Sequence, residues 1–210
     1  MFMRSRILGV VVLWLLTGCS TPARMRPVPA SQIVLSKDGR IAAAEDKGVR
    51  LVVSADTWKG APSDLPNILT PVELALENSS GRTLHVQYDG FSLVGAAHYA
   101  ALQPNTLARP STLRAPSAPP TYRPGGQFTR DPQVTCYSCG GAGLPTADMV
   151  RQAFPEGVLK NESSWTGFLY FESLGANERQ LILQARLVDE STGETFTSLR
   201  IPFQVLDSSR

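Results

Sequence analysis

The chain has 210 residues, 42% hydrophobic and 18% charged, which is enough apolar material for one core and too little length for several domains. Its 20 Lys and Arg face 18 Asp and Glu with no basic run longer than two, so the electrostatic footprint of nucleic-acid binding is missing and no such partner is expected. With 17 Gly and 16 Pro, the composition suits short strands and many turns rather than a helical bundle.

Arg4 and Arg6 precede a mostly apolar run from Ile7 to Leu16. A charged start followed by such a run is the pattern of an export signal, and it is about half the roughly 20 residues needed to cross a bilayer. Next comes Leu16-Thr17-Gly18-Cys19. These four residues resemble the lipobox of bacterial lipoproteins. The resemblance implies that residues 1–18 are a signal peptide removed by the lipoprotein signal peptidase. It also implies that Cys19 carries diacylglycerol on its thiol, often with a further acyl chain such as palmitate on its nitrogen. A thiol suits the modification because its thiolate is strongly nucleophilic, and at about 0.8 kcal/mol per buried methylene two or three chains anchor permanently. Ser20 follows rather than Asp, which in the family resembles the pattern sorted to the outer membrane, with the domain facing the periplasm. Membrane lipid, reached through acylated Cys19, is the first expected partner.

Residues 19–39 are polar and marked by Pro22, Pro27 and Pro29, and they read as a flexible tether. Extended at about 3.1 Å per residue, such a tether would lift the domain by up to about 60 Å. The domain itself is expected over 40–207.

Its first half shows the period of two expected of half-buried strands. Val49, Leu51, Val53 and Ala55 share one face, as do Val72, Leu74 and Leu76. Asn78-Ser79-Ser80-Gly81 predicts a hairpin turn, after which Leu84, Val86 and Tyr88 lie opposite His85 and Gln87. Asp89-Gly90 predicts a second tight turn ahead of Phe91 to Val94. Trp58 and Trp165 read as core or corner residues at strand ends, with a ligand platform as the alternative.

Between the halves of the domain, residues 103–145 hold eight prolines and no sustained apolar period. Loops longer than about 15 residues inside a compact domain are usually functional or disordered, so local activity would reside here. Tyr122, Phe128 and Tyr137 are the candidate partner-contact residues. Cys136 and Cys139 are close enough to pair in an oxidising compartment, and a local disulfide is expected, Cys19 being assigned to lipid. A redox role is the alternative; it would want Cys136 at a helix N-terminus, whereas Gly140-Gly141-Ala142-Gly143 opposes a helix. Zinc would need two more ligands, and His85 and His98 belong to other segments, so no metal or cofactor is expected.

Thr146 to Phe154 predicts the one helix, capped by Thr146 and stopped by Pro155. Phe168 to Phe171, Leu181 to Val188 and Thr195 to Val205 predict three more strands, the last two joined through Glu190 to Glu194. Asp189, Glu190 and Glu194 read as solvated turn residues. About eight short strands between turn signals predict an antiparallel, immunoglobulin-like β-sandwich with one short helix and a long Pro/Gly-rich insertion.

No catalytic motif accompanies this pattern. Gly90-Phe91-Ser92-Leu93-Val94-Gly95 misses the spacing of a nucleophile elbow, and His85 and Asp89, four residues apart on an extended chain, stand about 13 Å from one another. The expected function is therefore non-enzymatic: a lipid-anchored envelope lipoprotein acting as a binding or structural module near the outer membrane, with an envelope protein or polymer as partner. The alternatives are a periplasmic thiol-disulfide protein using Cys136 and Cys139, and an enzyme of unrecognised type.

Overall fold

The structure is a computed structural model that describes residues 24–104, 107 and 143–206. Among the described residues the first strands are β1 (Arg24–Pro27), β2 (Ile33–Leu35), β3 (Ile41–Asp46), β4 (Val49–Ala55) and β5 (Leu69–Asn78). There follow β6 (Leu84–Val86), β7 (Phe91–Val94), β8 (His98–Ala100), a helix α1 (Ala147–Gln152) and β9 (Gly157–Leu159). The chain ends with β10 (Ser163–Glu172), β11 (Gln180–Asp189) and β12 (Thr195–Leu206).

These strands form two antiparallel sheets. The five-stranded sheet runs β10-β5-β4-β3-β2, and the seven-stranded sheet is built on β1-β12-β11-β6-β9 with β7 and β8 attached through β11. Alternation decides which face closes. Val49, Leu51, Val53 and Ala55 of β4 are buried while the residues between them are not, and Leu199, Ile201, Phe203 and Val205 of β12 do the same from the other sheet. The inward rows of both sheets make one continuous apolar core. β4, β5 and β10 lie side by side in one sheet; β6 with β7, β11 and β12 lie side by side in the other. That is the A-B-E and C-F-G connectivity of an immunoglobulin-like sandwich.

β10 departs from simple alternation. Gly167 through Phe171 are all buried, because the outward Phe168 and Tyr170 are covered by a second apolar cluster with Leu65, Leu69 and Met149. A strand covered on both faces reads as a continuous apolar run, which is what Phe168-Leu169-Tyr170-Phe171 is. The cover is α1 and the turn from Leu65 to Asn67. Thr146 Oγ1 accepts from the Met149 N–H at 3.3 Å and caps the helix. Its hydroxyl also donates to the Ala61 carbonyl at 2.6 Å, binding the helix to the loop beyond β4. The chain leaving α1 lies so close to β10 that a Cβ on Gly167 would stand 2.7 Å from Phe154 Cα, which is why glycine occupies that position.

Three sequence expectations are corrected. Residues 24–27 and 33–35, expected within the flexible tether, are strands: Arg24 pairs with Leu206 and Pro27 with Phe203 at the edge of the larger sheet, so the sandwich begins at Arg24. Arg24, Met25, Arg26 and Pro27 alternate exposed and buried, and a proline is tolerated on an edge strand because no ladder donor is lost to a neighbour. Asn78 to Gly81 is not a hairpin, since β5 and β6 belong to different sheets and the turn carries the chain across the sandwich. Asn78 is the pivot. Its buried Nδ2 donates to the Arg82 and Leu159 carbonyls at 2.8 and 3.2 Å, while Oδ1 accepts from the Ser80 hydroxyl at 2.7 Å. Trp165, finally, lies within β10 opposite Leu76 rather than at a strand end, and it packs against the core and edge-on to Phe154.

Replacing Asn78 by Ala leaves two carbonyls and a hydroxyl without their partner. It should lower the unfolding free energy by about 1–3 kcal/mol in urea titrations, with an unchanged denaturant slope.

Candidate functional site

Several residues singled out by sequence lie outside the described residues: Cys19, Cys136, Cys139, Tyr122, Phe128 and Tyr137. The described ends of the 103–145 insertion both return to one place. Leu107 from its start and Leu144 from its end, together with Leu102, pack on the second cluster beside Trp58. Trp58 is a corner residue there, edge-on to Phe168 and Tyr170 at 5.1 and 6.0 Å, with its indole N–H donating to the Pro62 carbonyl at 2.9 Å. Tyr170 donates to the Met149 carbonyl at 3.0 Å, and burial pushes its hydroxyl pKa far above the ordinary tyrosine value. Tyr88 donates to the Phe154 carbonyl at 2.7 Å, and burial, then the nearby Glu156, push its pKa up to about 12. Both hydroxyls are fixed donors holding α1 and the chain beyond it.

The polar groups elsewhere are also committed. His85 does not approach Asp89; its Nδ1 lies 3.0 Å from Glu190 Oε2. Asp189, expected as a solvated turn residue, is buried. Its carboxylate accepts from the Ser191 hydroxyl, from the Arg82 guanidinium and from the Ser191 and Thr192 N–H groups, so its pKa is held well below the usual carboxylate range. Sequence reasoning missed Glu178 altogether. It is buried, and its oxygens accept from the Ala96 and Ala97 N–H groups at 2.9 Å each and from the Tyr99 hydroxyl at 3.0 Å. Burial opposes this charge, yet the three donors outweigh it and leave the pKa below the ordinary value. A Cβ on Gly95 would meet the Glu178 carboxylate, so the glycine that failed as part of a nucleophile elbow has a packing role. Among the described residues no group of three or more His, Cys, Asp or Glu side chains is placed to hold a metal ion.

Among the described residues a cleft opens where β1, on the edge of one sheet, meets the ends of β3 and β4 in the other. It encloses about 530 Å³, and Arg24, Arg26, Arg40, Asp38, Asp56 and Glu73 are its charged lining. Met25 turns inward between the two arginines of β1, so Arg24 and Arg26 share the outer face. Asp56 follows β4 with a φ of 58°, in the left-handed region that Asp tolerates better than most residues. Partial desolvation raises its pKa, opposed first by the Arg24 guanidinium, then by the Met25 N–H, and less by Arg40 and Arg26. A narrower recess of about 170 Å³ adjoins the cleft through Arg24, Met25 and Asp56, and it is floored by Trp58, Leu69 and Pro71. Such an arrangement can bind a small ligand carrying both charges beside an apolar group.

Compared with known proteins, the chain matches no family model, no curated protein and no solved structure.

The Glu178 carboxylate favours folding above its unfolded pKa, near the ordinary glutamate value of 4.5, and this contribution is lost as pH falls through its lower folded value. Glu178→Gln should therefore be less stable at neutral pH by about 1–3 kcal/mol and show a shallower loss of stability below about pH 4.5, measured by urea unfolding across pH.

Proposed function

We propose that this protein is a lipid-anchored envelope lipoprotein of the outer membrane, acting as a non-enzymatic binding module rather than as an enzyme. The signal-like run ending at Leu16-Thr17-Gly18-Cys19 and the start of β1 at Arg24 support the reading together. Only Ser20, Thr21, Pro22 and Ala23 separate the cysteine from the first strand. Cleavage before Cys19 would therefore remove the export segment and leave every described strand of the sandwich in place.

The short spacing carries a consequence for how the module is held. At about 3.3–3.6 Å per residue, the five steps from Cys19 to Arg24 reach no more than about 18 Å. The domain would then rest against the lipid rather than stand far above it, with the start of β1 as its membrane-proximal end. The committed hydrogen bonds of Asp189, Glu178, Tyr88 and Tyr170 also favour binding over chemistry, because each holds the fold. The partner is membrane lipid through Cys19, and an envelope protein or polymer reached from that position.

Mass spectrometry of protein purified from its native host should find an N-terminal peptide beginning at acylated Cys19. Cys19→Ser should move the protein from the outer-membrane fraction to the soluble one. An intact Met1 or an unmodified Cys19 in the membrane fraction would overturn the proposal.

A further inference from the structure

The cleft beside β1 holds charges of both signs in an unusual state. Among the described residues four ion pairs form, and none uses Arg24, Arg26, Arg40, Asp56 or Glu73. Asp38 is engaged locally, accepting from the Ser36 hydroxyl and the Arg40 backbone N–H. Three guanidiniums and two carboxylates thus line one cavity with no ion pair within 4 Å between them, Asp56 feeling the Arg24 guanidinium and accepting from the Met25 N–H. Held apart in this way, opposite charges leave room for a ligand that itself carries both signs. Guanidinium is the group best matched to phosphate oxygens, and a carboxylate is the natural acceptor for a primary ammonium.

The position of the cleft selects among such ligands. Arg24 lines it, and Arg24 is five residues from Cys19. Registers place the other lining residues at the same end of the sandwich: Arg24 pairs with Leu206 at the end of β12, and Ile41 at the start of β3 pairs with Ser54 at the end of β4. On the reading of Cys19 as the lipid anchor, this end lies at headgroup height.

We propose that the cleft binds the headgroup of a zwitterionic phospholipid bearing a primary amine, a phosphoethanolamine. Its phosphate sits among Arg24, Arg26 and Arg40, and its ammonium lies on Asp56 and Glu73. The apolar recess floored by Trp58, Leu69 and Pro71 opens from the same wall and accommodates the glycerol and the first methylenes of a chain. Binding at this site would fix the orientation of the domain on the membrane, which a flexible acyl anchor alone cannot do.

The test uses the chain from Ser20 to Arg210, which lacks the anchor and keeps every described strand, in flotation with vesicles of three compositions. These are phosphatidylcholine alone, phosphatidylcholine with phosphatidylethanolamine, and phosphatidylcholine with phosphatidylglycerol. Phosphatidylethanolamine should raise binding about tenfold or more over phosphatidylcholine, whose methylated amine cannot donate to the carboxylates. Soluble glycerophosphoethanolamine should compete, and inorganic phosphate at equal concentration should not. Arg24→Gln with Arg40→Gln should abolish the gain, and Asp56→Asn should remove the preference for the primary amine. Arg40→Lys, which keeps the charge, should retain part of it, and urea midpoints equal to the parent's would show that each variant is folded. Three results would overturn the proposal: equal binding to all vesicles, binding to phosphatidylglycerol without a phosphatidylethanolamine preference, or no binding to any. Because no acyl chain is present, such failure leaves the identity of the group on Cys19 to the mass measurement and does not touch it.

Discussion

β10 has apolar partners on both of its faces, and the rest of the molecule is arranged around that burial. Its inward residues, Leu169 and Phe171, close the core between the two sheets, while its outward Phe168 and Tyr170 require a cover of their own. Helix α1, Trp58 and the Leu65 to Asn67 turn supply it. The helix has six residues, too few to be stable alone, so it exists because this face needs covering. Both ends of the 103–145 insertion are held by the same cluster through Leu107 and Leu144. The insertion thus departs from and returns to a rigid base.

Polar burial follows a consistent rule in this fold. Asn78, Glu178 and Asp189 are the buried groups with the most demanding hydrogen bonding, and each sits where the chain changes direction. Asn78 serves the crossing between sheets, Glu178 the turn between β7 and β8, and Asp189 the turn between β11 and β12. In each case a side chain supplies partners to backbone groups that no ladder can reach. The charges near β1 differ: among the described residues Arg24, Arg26, Arg40, Asp56 and Glu73 form no ion pair within 4 Å, although Arg24 and the Met25 N–H both favour the charged form of Asp56.

The proposed functions depend on one another through geometry. An acyl anchor gives affinity for the bilayer without orientation, since an aliphatic chain is free to rotate. On the proposed reading, a domain joined to the anchor by four residues would be confined close to the surface yet free to lean on any side. A headgroup site next to the point of attachment would set the lean and present the far pole, with the β11–β12 hairpin, to the compartment beyond.

Much of the sandwich was legible because its strands bury one face, and a period of two in Val49 to Ala55, Val72 to Leu76 and Leu181 to Leu187 survives translation into structure without knowledge of neighbours. The helix was legible through its cap and its stop. β1 was not, because arginines and prolines hide an alternation of only two buried residues that becomes apolar burial only beside β12. The turn at Asn78 was legible as a turn, but local turn chemistry is the same whether the chain stays in a sheet or crosses to another. Sequence alone determined the class of fold, since the alternation of its strands and the signals of its turns are written in consecutive residues. Only tertiary structure decided which carboxylates are buried, which arginines share a cleft and that Arg24 to Pro27 form an edge strand, because those facts depend on residues far apart in the chain being brought together in two packed sheets.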